Sequence, residues 1–166
     1  AEAQGFQVVI STGDKDLAQL VGPQITLINT MSSEVLDEAG VLAKFGVPPE
    51  RIVDYLTLVG DPVDNVPGVE KVGPKTAVKW LSQYGSLDAV IAAAAEIGGV
   101  VGKNLRDAID FLPLGRKLVT VRCDLDLPLS LADLKPNVAD RARLAELFLR
   151  YEMKSWLKEV QGAAEQ

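Results

Sequence analysis

The spacing of apolar residues changes character about a quarter of the way along the chain. Residues 6–11, behind Gly5, form a short run rich in Val and Ile that predicts a buried strand, and residues 24–29 predict a second. Between them residues 15–20 read as a short amphipathic helix, and residues 1–4 as the tail of another. From Asp37 onward the period becomes helical. Residues 38–45 are followed by Pro49, which suits a first helical turn, and Ile52, Val53, Leu56 and Val59 fall on one helix face that ends at Gly60. Pro74 opens a helix that Gly85 stops, and Ser86 caps a further helix expected to run through the alanines to Ile97. Residues 98–99 break the chain, and a helix over about 103–119 is interrupted at Pro113. Residues 124–136 read as extended. A last helical stretch, 139–160, carries Leu144, Leu147, Phe148, Tyr151 and Trp156 and is expected to pack back on the body.

Strand–helix–strand with short links predicts a parallel α/β sheet whose functional residues gather where the strands end. Two strands are too few for a doubly wound sheet, so the chain is expected to be part of a longer fold.

Composition narrows the chemistry. The 166 residues include no histidine, which excludes imidazole acid–base catalysis, His-dependent nucleophiles and His-containing zinc sites within the chain. What remains is carboxylates, Lys, Arg, Tyr and hydroxyls, a set suited to hard cations such as Mg²⁺ or Mn²⁺. The net charge of −6 argues against a general polyanion-binding surface but allows clustered acids that bound cations neutralise. A lone cysteine, Cys123, excludes an intramolecular disulfide and reads as a small buried hydrophobe. With no basic leader and no long apolar run, the chain is expected to be soluble and cytoplasmic.

Three constellations carry chemistry. Thr12-Gly13-Asp14-Lys15-Asp16 follows the first strand directly. Asp14 and Asp16 either reach a common cation, or Asp14 merely caps the helix that begins at Lys15. Asp61 and Asp64 lie in a loop between two helices, where turn chemistry alone explains Asp, Pro and Asn. Two acid pairs in loops also fit a shared two-metal site with ions ~4 Å apart acting on a phosphodiester. The third constellation is the turn 67–77. Gly68 and Gly73 let the backbone approach a ligand closely, and the helix opening at Pro74-Lys75-Thr76 offers free N–H groups to a phosphate. Lys75 and Lys79, four apart, suit neighbouring phosphates; a plain helix–turn–helix with solvated lysines is the alternative.

The segments 10–21 (ISTGDKDLAQLV), 60–69 (GDPVDNVPGV), 72–77 (VGPKTA) and 84–88 (YGSLD) together resemble the 5′-nuclease family. These are the flap-endonuclease-like domains of bacterial type I DNA polymerases, and the likeness runs through almost the whole chain, weakening after about Leu129. The resemblance implies an α/β fold with a parallel-sheet remnant at residues 1–36, the C-terminal part of the nuclease core. A helical region would follow over 37–166, with a helix–three-turn–helix at about 50–84 that grips duplex DNA. It implies metal-dependent hydrolysis at 5′ ends and flaps of DNA in replication and repair. Asp14, Asp16, Asp61 and Asp64 match the family's metal-site carboxylates. Gly68, Lys71, Gly73, Lys75, Thr76 and Lys79 match its duplex-contacting turn, and the carbonyls of Val66, Val69 and Val72 its monovalent-cation (K⁺) site.

Two departures stand out. Lys71 occupies a position where many relatives have glycine. The family's first strand, helical arch and further acidic cluster have no counterpart in these residues. The chain is therefore expected to be the C-terminal half of a nuclease domain, monomeric, with polymerase domains elsewhere in the same parent chain. It should contact branched or nicked duplex DNA yet cleave little or nothing. A non-catalytic structure-specific DNA-binding module is the principal alternative. A PIN-type ribonuclease fits less well, since that fold lacks the Gly68–Ala77 element.

Overall fold

A computed structural model describes residues 1–136 and 138–162. The chain divides into two compact units, Ala1–Leu125 and Asp126–Gln166. In the first, β1 (Val8–Ser11), β2 (Ile25–Asn29) and β3 (Glu34–Leu36) form one sheet in that order. β1 pairs parallel with β2, from Val8 opposite Ile25 to Ser11 opposite Ile28, while β3 returns antiparallel with Leu36 opposite Leu27. The sheet is thus mixed, not purely parallel. β3 has only three residues, too short for any period to register in the sequence.

β1 is an edge strand and is not buried throughout. Its residues alternate, and Val9 is 67% exposed, because an edge strand paired on one side buries only the face turned towards the core. Between β1 and β2, Lys15–Leu20 forms a 3₁₀ helix capped by the Asp14 side chain. The antiparallel β3 leads through the Asp37 N-cap into α1 (Glu38–Phe45). Ala18, Val21, Leu27, Leu36 and Val41 join the sheet end to the core.

The helical part follows its punctuation closely. A 3₁₀ turn at Pro49–Arg51 leads into α2 (Ile52–Val59), and Gly60 ends it. Next come α3 (Pro74–Tyr84), α4 (Leu87–Ala92), α5 (Gly99–Ala108) and α6 (Leu112–Val119). α2 is the central post: Ile52, Leu56 and Leu58 are fully buried, and the helix packs on α3, α4 and α6.

α4 stops at Ala92 instead of reaching Ile97. Beyond Ala92 the chain continues as turns, and the Arg106 guanidinium donates to the carbonyls of Ala94 (2.6 Å) and Ile97 (3.0 Å) there. The helix expected over 103–119 is two helices. Their break spans residues 109–111, and Pro113, which lacks an N–H, sits in the first turn of α6. Cys123 is exposed, not buried, because it lies on the extended segment after α6.

In the second unit, the stretch expected as one helix is α7 (Arg141–Arg150) and α8 (Lys154–Gly162). Glu152, at φ 57, turns the chain between them, and Phe148 meets Trp156 across the pair with ring centroids 5.6 Å apart. Among the described residues no helix is long and apolar enough to cross a membrane.

Candidate active site

The first acidic turn is organised by its own hydrogen bonds. Thr12 Oγ1 accepts the Asp14 N–H, and Asp14 Oδ1 accepts the Asp16 N–H, both at 3.0 Å. Asp14 therefore caps the 3₁₀ helix and remains exposed, while Asp16 is half-buried in its first turn. Gln19 fixes that turn from the far side. Its Nε2 donates to the carbonyls of Asp16 (2.7 Å) and Val119 (2.9 Å), and its Oε1 accepts the Val121 N–H (3.0 Å). One amide side chain thus ties the acid-bearing turn to the end of α6. A single Gln in a six-residue helix carries no sequence signal for such a role.

The second acidic loop springs from the end of α2. Asp61 and Val66 exchange both backbone hydrogen bonds (2.7 and 2.8 Å), closing a loop that carries Asp64 at its tip. Two glycines allow it. Gly60 and Gly68 have φ of 79° and 61°, and their backbones press together. A Cβ on Gly60 would fall 2.6 Å from the Val66 carbonyl oxygen, and one on Gly68 would fall 2.6 Å from the Val59 carbonyl carbon.

The two loops bring their carboxylates together. One oxygen each from Asp16, Asp61 and Asp64 lie within 4.8 Å of one another. Asp14 is not part of that trio but lines the adjoining cleft of about 350 Å³ with Asp61 and Asp64. Asp61 is 3% exposed; its Oδ1 accepts the Val63 N–H at 2.9 Å and its Oδ2 pairs with Lys15 Nζ at 2.9 Å. Burial alone would raise the Asp61 pKa. The Lys15 ammonium and the N–H groups of Val63 and Asp64 outweigh that and hold it below the usual carboxylate range. Asp16 goes the other way: burial first, then the neighbouring charges of Asp14, Asp61 and Asp64, push it up to about 6 against the pull of Lys15.

This donor set suits a hard divalent cation. All three donors are carboxylate oxygens, and Asp16 Oδ1 is buried with no hydrogen-bond partner. Three oxygens bound to one octahedral Mg²⁺ at ~2.1 Å lie about 3 Å apart in cis pairs and about 4.2 Å apart across the ion, so the side chains must draw inward to close the trio on it.

Beyond the loop lies the candidate duplex-gripping turn. The Val69 N–H donates to Leu58 O (2.9 Å) and the Val72 N–H to Val69 O (3.0 Å), seating the turn on α2. The side chains of Val66, Val69 and Val72 are core residues, and the carbonyls of Val66 and Val69 each already accept one amide. Lys71 has φ 63°, the left-handed conformation that glycine adopts most readily, so the turn keeps a glycine-like backbone with a cationic side chain added. Asn104 Nδ2 holds the neighbouring Glu70 carbonyl at 2.8 Å.

Gly73 is the N-cap of α3, and no side chain caps that end. Its carbonyl accepts both the Thr76 and Ala77 N–H at 3.0 Å. Ala77, Trp80 and Leu81 are buried while Lys75 and Lys79 are exposed, so both lysines face solvent beside the open helix end.

The fold and the carboxylate trio define a class: an acid-cluster α/β domain with a glycine-hinged turn leading into a cation-bearing helix. The chain belongs to the 5′-3′ exonuclease family with the C-terminal SAM fold, whose model matches residues 47–142. It is 44% identical to a 5′-3′ exonuclease of Aquifex aeolicus, over 95% of this chain and 53% of that protein. It is also 42% identical to DNA polymerase I of Pseudomonas aeruginosa, over 92% of this chain and 18% of that one. The chain thus spans about half of the first curated relative and under a fifth of the second. A bacteriophage T5 flap endonuclease, solved as a pseudo-enzyme-product complex with DNA and metal ions, shares the fold. Its TM-score is 0.66 at 16% identity, covering 99% of this chain and 56% of that one.

Proposed function

We propose that this chain supplies one edge of a two-metal phosphodiesterase centre and, beside it, the turn that holds a DNA duplex by its backbone. The observation that carries this reading is the meeting of Asp16, Asp61 and Asp64 from two separate loops, with a buried Asp16 oxygen left without a donor. Asp16, Asp61 and Asp64 would hold Mg²⁺ or Mn²⁺, and exposed Asp14 would act from the cleft wall. Such ions, when bound, activate water and stabilise charge on a transferring phosphoryl group.

The remaining roles belong to the chain's own groups. Gly68, Lys71, Gly73, Lys75, Thr76 and Lys79 would position the phosphate backbone without reading bases. The second lone pairs on the Val66 and Val69 carbonyls, together with Val72, would be available to a K⁺ ion. The substrate on this reading is branched or nicked duplex DNA bearing 5′ ends or flaps, as in replication and repair, with polymerase domains in the same parent protein. Further carboxylates would come from outside these residues. The 166-residue chain alone, a monomer, then binds duplex DNA but cleaves little or none of it.

One observation favours a second reading, a non-catalytic DNA-binding module: Asp61 is already neutralised within the chain by Lys15. Asp61→Ala separates the two. Under the nuclease reading the variant loses Mn²⁺ binding by calorimetry. A wild-type chain that never binds Mn²⁺, with DNA affinity unchanged in Asp61→Ala, supports the module. Robust metal-dependent flap cleavage by the purified 166-residue chain would overturn the expectation of weak activity.

A further inference from the structure

Lys15 sits between Asp14 and Asp16 in sequence, yet its ammonium forms its ion pair with the other acidic loop. Its Nζ lies 2.9 Å from Asp61 Oδ2, joining the two acidic turns through one ion pair. The pair is asymmetric: the Asp61 side chain is 4% exposed and the Lys15 side chain 37%. Asp61 is thus fixed in place, its Oδ1 held by the Val63 N–H, whereas the lysine can swing into water. The pairing also leaves the trio incompletely served. The buried Asp16 Oδ1 receives no donor, and Lys15 carries one positive charge against three carboxylates.

From this arrangement we propose that Lys15 is the built-in counter-cation of the carboxylate trio, which a divalent ion must displace from Asp61 before the site can load. The inference rests on the metal-centre reading and adds a competitor to it. Two cations on one buried carboxylate repel each other strongly, so ammonium and metal compete for Asp61. Lys15 therefore keeps Asp61 charged and oriented when metal is scarce. It also raises the concentration of metal needed to fill the site.

Mn²⁺ binding, followed by titration calorimetry and by loss of the free-ion electron paramagnetic resonance signal, tests this on the full 166-residue chain. Lys15→Met should bind Mn²⁺ about tenfold more tightly than wild type, since a charge beside the ligand oxygen is removed. Lys15→Arg, which keeps a cation there, should stay near wild type. Lys103→Met, which removes the same charge from an exposed pair on α5, should also stay near wild type. Unchanged or weaker binding by Lys15→Met, while wild type binds, overturns the competitor role and leaves the metal site standing. Binding by neither protein overturns the metal centre itself, and the inference with it. Should Lys15→Met fail to fold, the wild-type protein decides. The ¹⁵Nζ resonance of Lys15 must shift as Mg²⁺ is added, and a resonance indifferent to saturating Mg²⁺ contradicts displacement.

Discussion

Asp16 and Asp61 shift in opposite directions although their oxygens are neighbours: burial and the surrounding carboxylates raise Asp16, whereas the Lys15 ion pair and the backbone N–H groups of Val63 and Asp64 outweigh burial at Asp61. Asp61 holds the ammonium and backbone donors, so its folded pKa is lowered; its contribution to stability is present above the unfolded value and lost as pH falls through the folded one. Asp16 holds no such partner at Oδ1, and its pKa rises to about 6. A raised carboxyl contributes stability that is full below its unfolded pKa of ~4 and disappears as pH climbs through the folded value. The metal-free protein should therefore lose melting temperature between about pH 4 and pH 6 on account of Asp16. Asp16→Asn should flatten that decline in a pH series of thermal melts. At pH 7 the variant should be more stable by on the order of 1 kcal/mol, water at the half-buried group damping the full effect. At the same scale, Gly68→Ala should destabilise the fold by roughly 3 kcal/mol in urea titration, because its Cβ would strike the Val59 backbone at a left-handed position. The sequence motifs singled out four aspartates, three of which bring an oxygen within 4.8 Å of one another. Which three converge was not legible, because Asp16 follows a strand and Asp61 a helix, and only tertiary packing brings the two ends together. The Lys15–Asp61 pair was invisible for the same reason.

Elements were most legible where the chain is punctuated. Pro49, Gly60, Pro74, Gly85 and Ser86 all mark real helix ends, since each acts through local backbone geometry. Legibility failed between Ala93 and Ile97, where the backbone continues as turns whose carbonyls at Ala94 and Ile97 accept from Arg106. A similar long-range tie joins α2, α4 and α6. Asp54 on α2 accepts the Leu87 N–H at 3.1 Å, and its other oxygen faces Arg116 of α6 at 3.4 Å, while Arg116 also reaches Asp88 of α4. Asp54→Ala leaves a buried N–H and a guanidinium short of partners. It should cost about 2 kcal/mol in chemical denaturation, more than an exposed ion pair is worth. At the end of α3, Lys75 and Lys79 face solvent. The double change to Ala should reduce the slope of log affinity for duplex DNA against log salt by about 2, measured by fluorescence anisotropy, if each lysine neutralises one phosphate. An unchanged slope would mean that these lysines only solvate the helix.

The molecule as a whole places its buried apolar core between Ala18 and Val119, within the first compact unit, and both acidic loops and the lysine-bearing turn lie in that same unit. A chain ended at Leu125 should therefore still unfold cooperatively and bind Mn²⁺ with affinity close to that of the longer chain. Loss of either property would mean that the residues from Asp126 onward complete the fold or the site. An α/β start followed by a helical body was readable from the change in apolar period. The mixed sheet was not, because its antiparallel strand is only three residues long. The central claim is that Asp16, Asp61 and Asp64 together hold a divalent cation, and anomalous diffraction from crystals grown in Mn²⁺ tests it most directly. The account predicts a manganese peak within bonding distance of all three carboxylates, with the Lys15 ammonium moved off Asp61. Saturating Mn²⁺ that leaves the trio empty and the Lys15–Asp61 pair intact would contradict it.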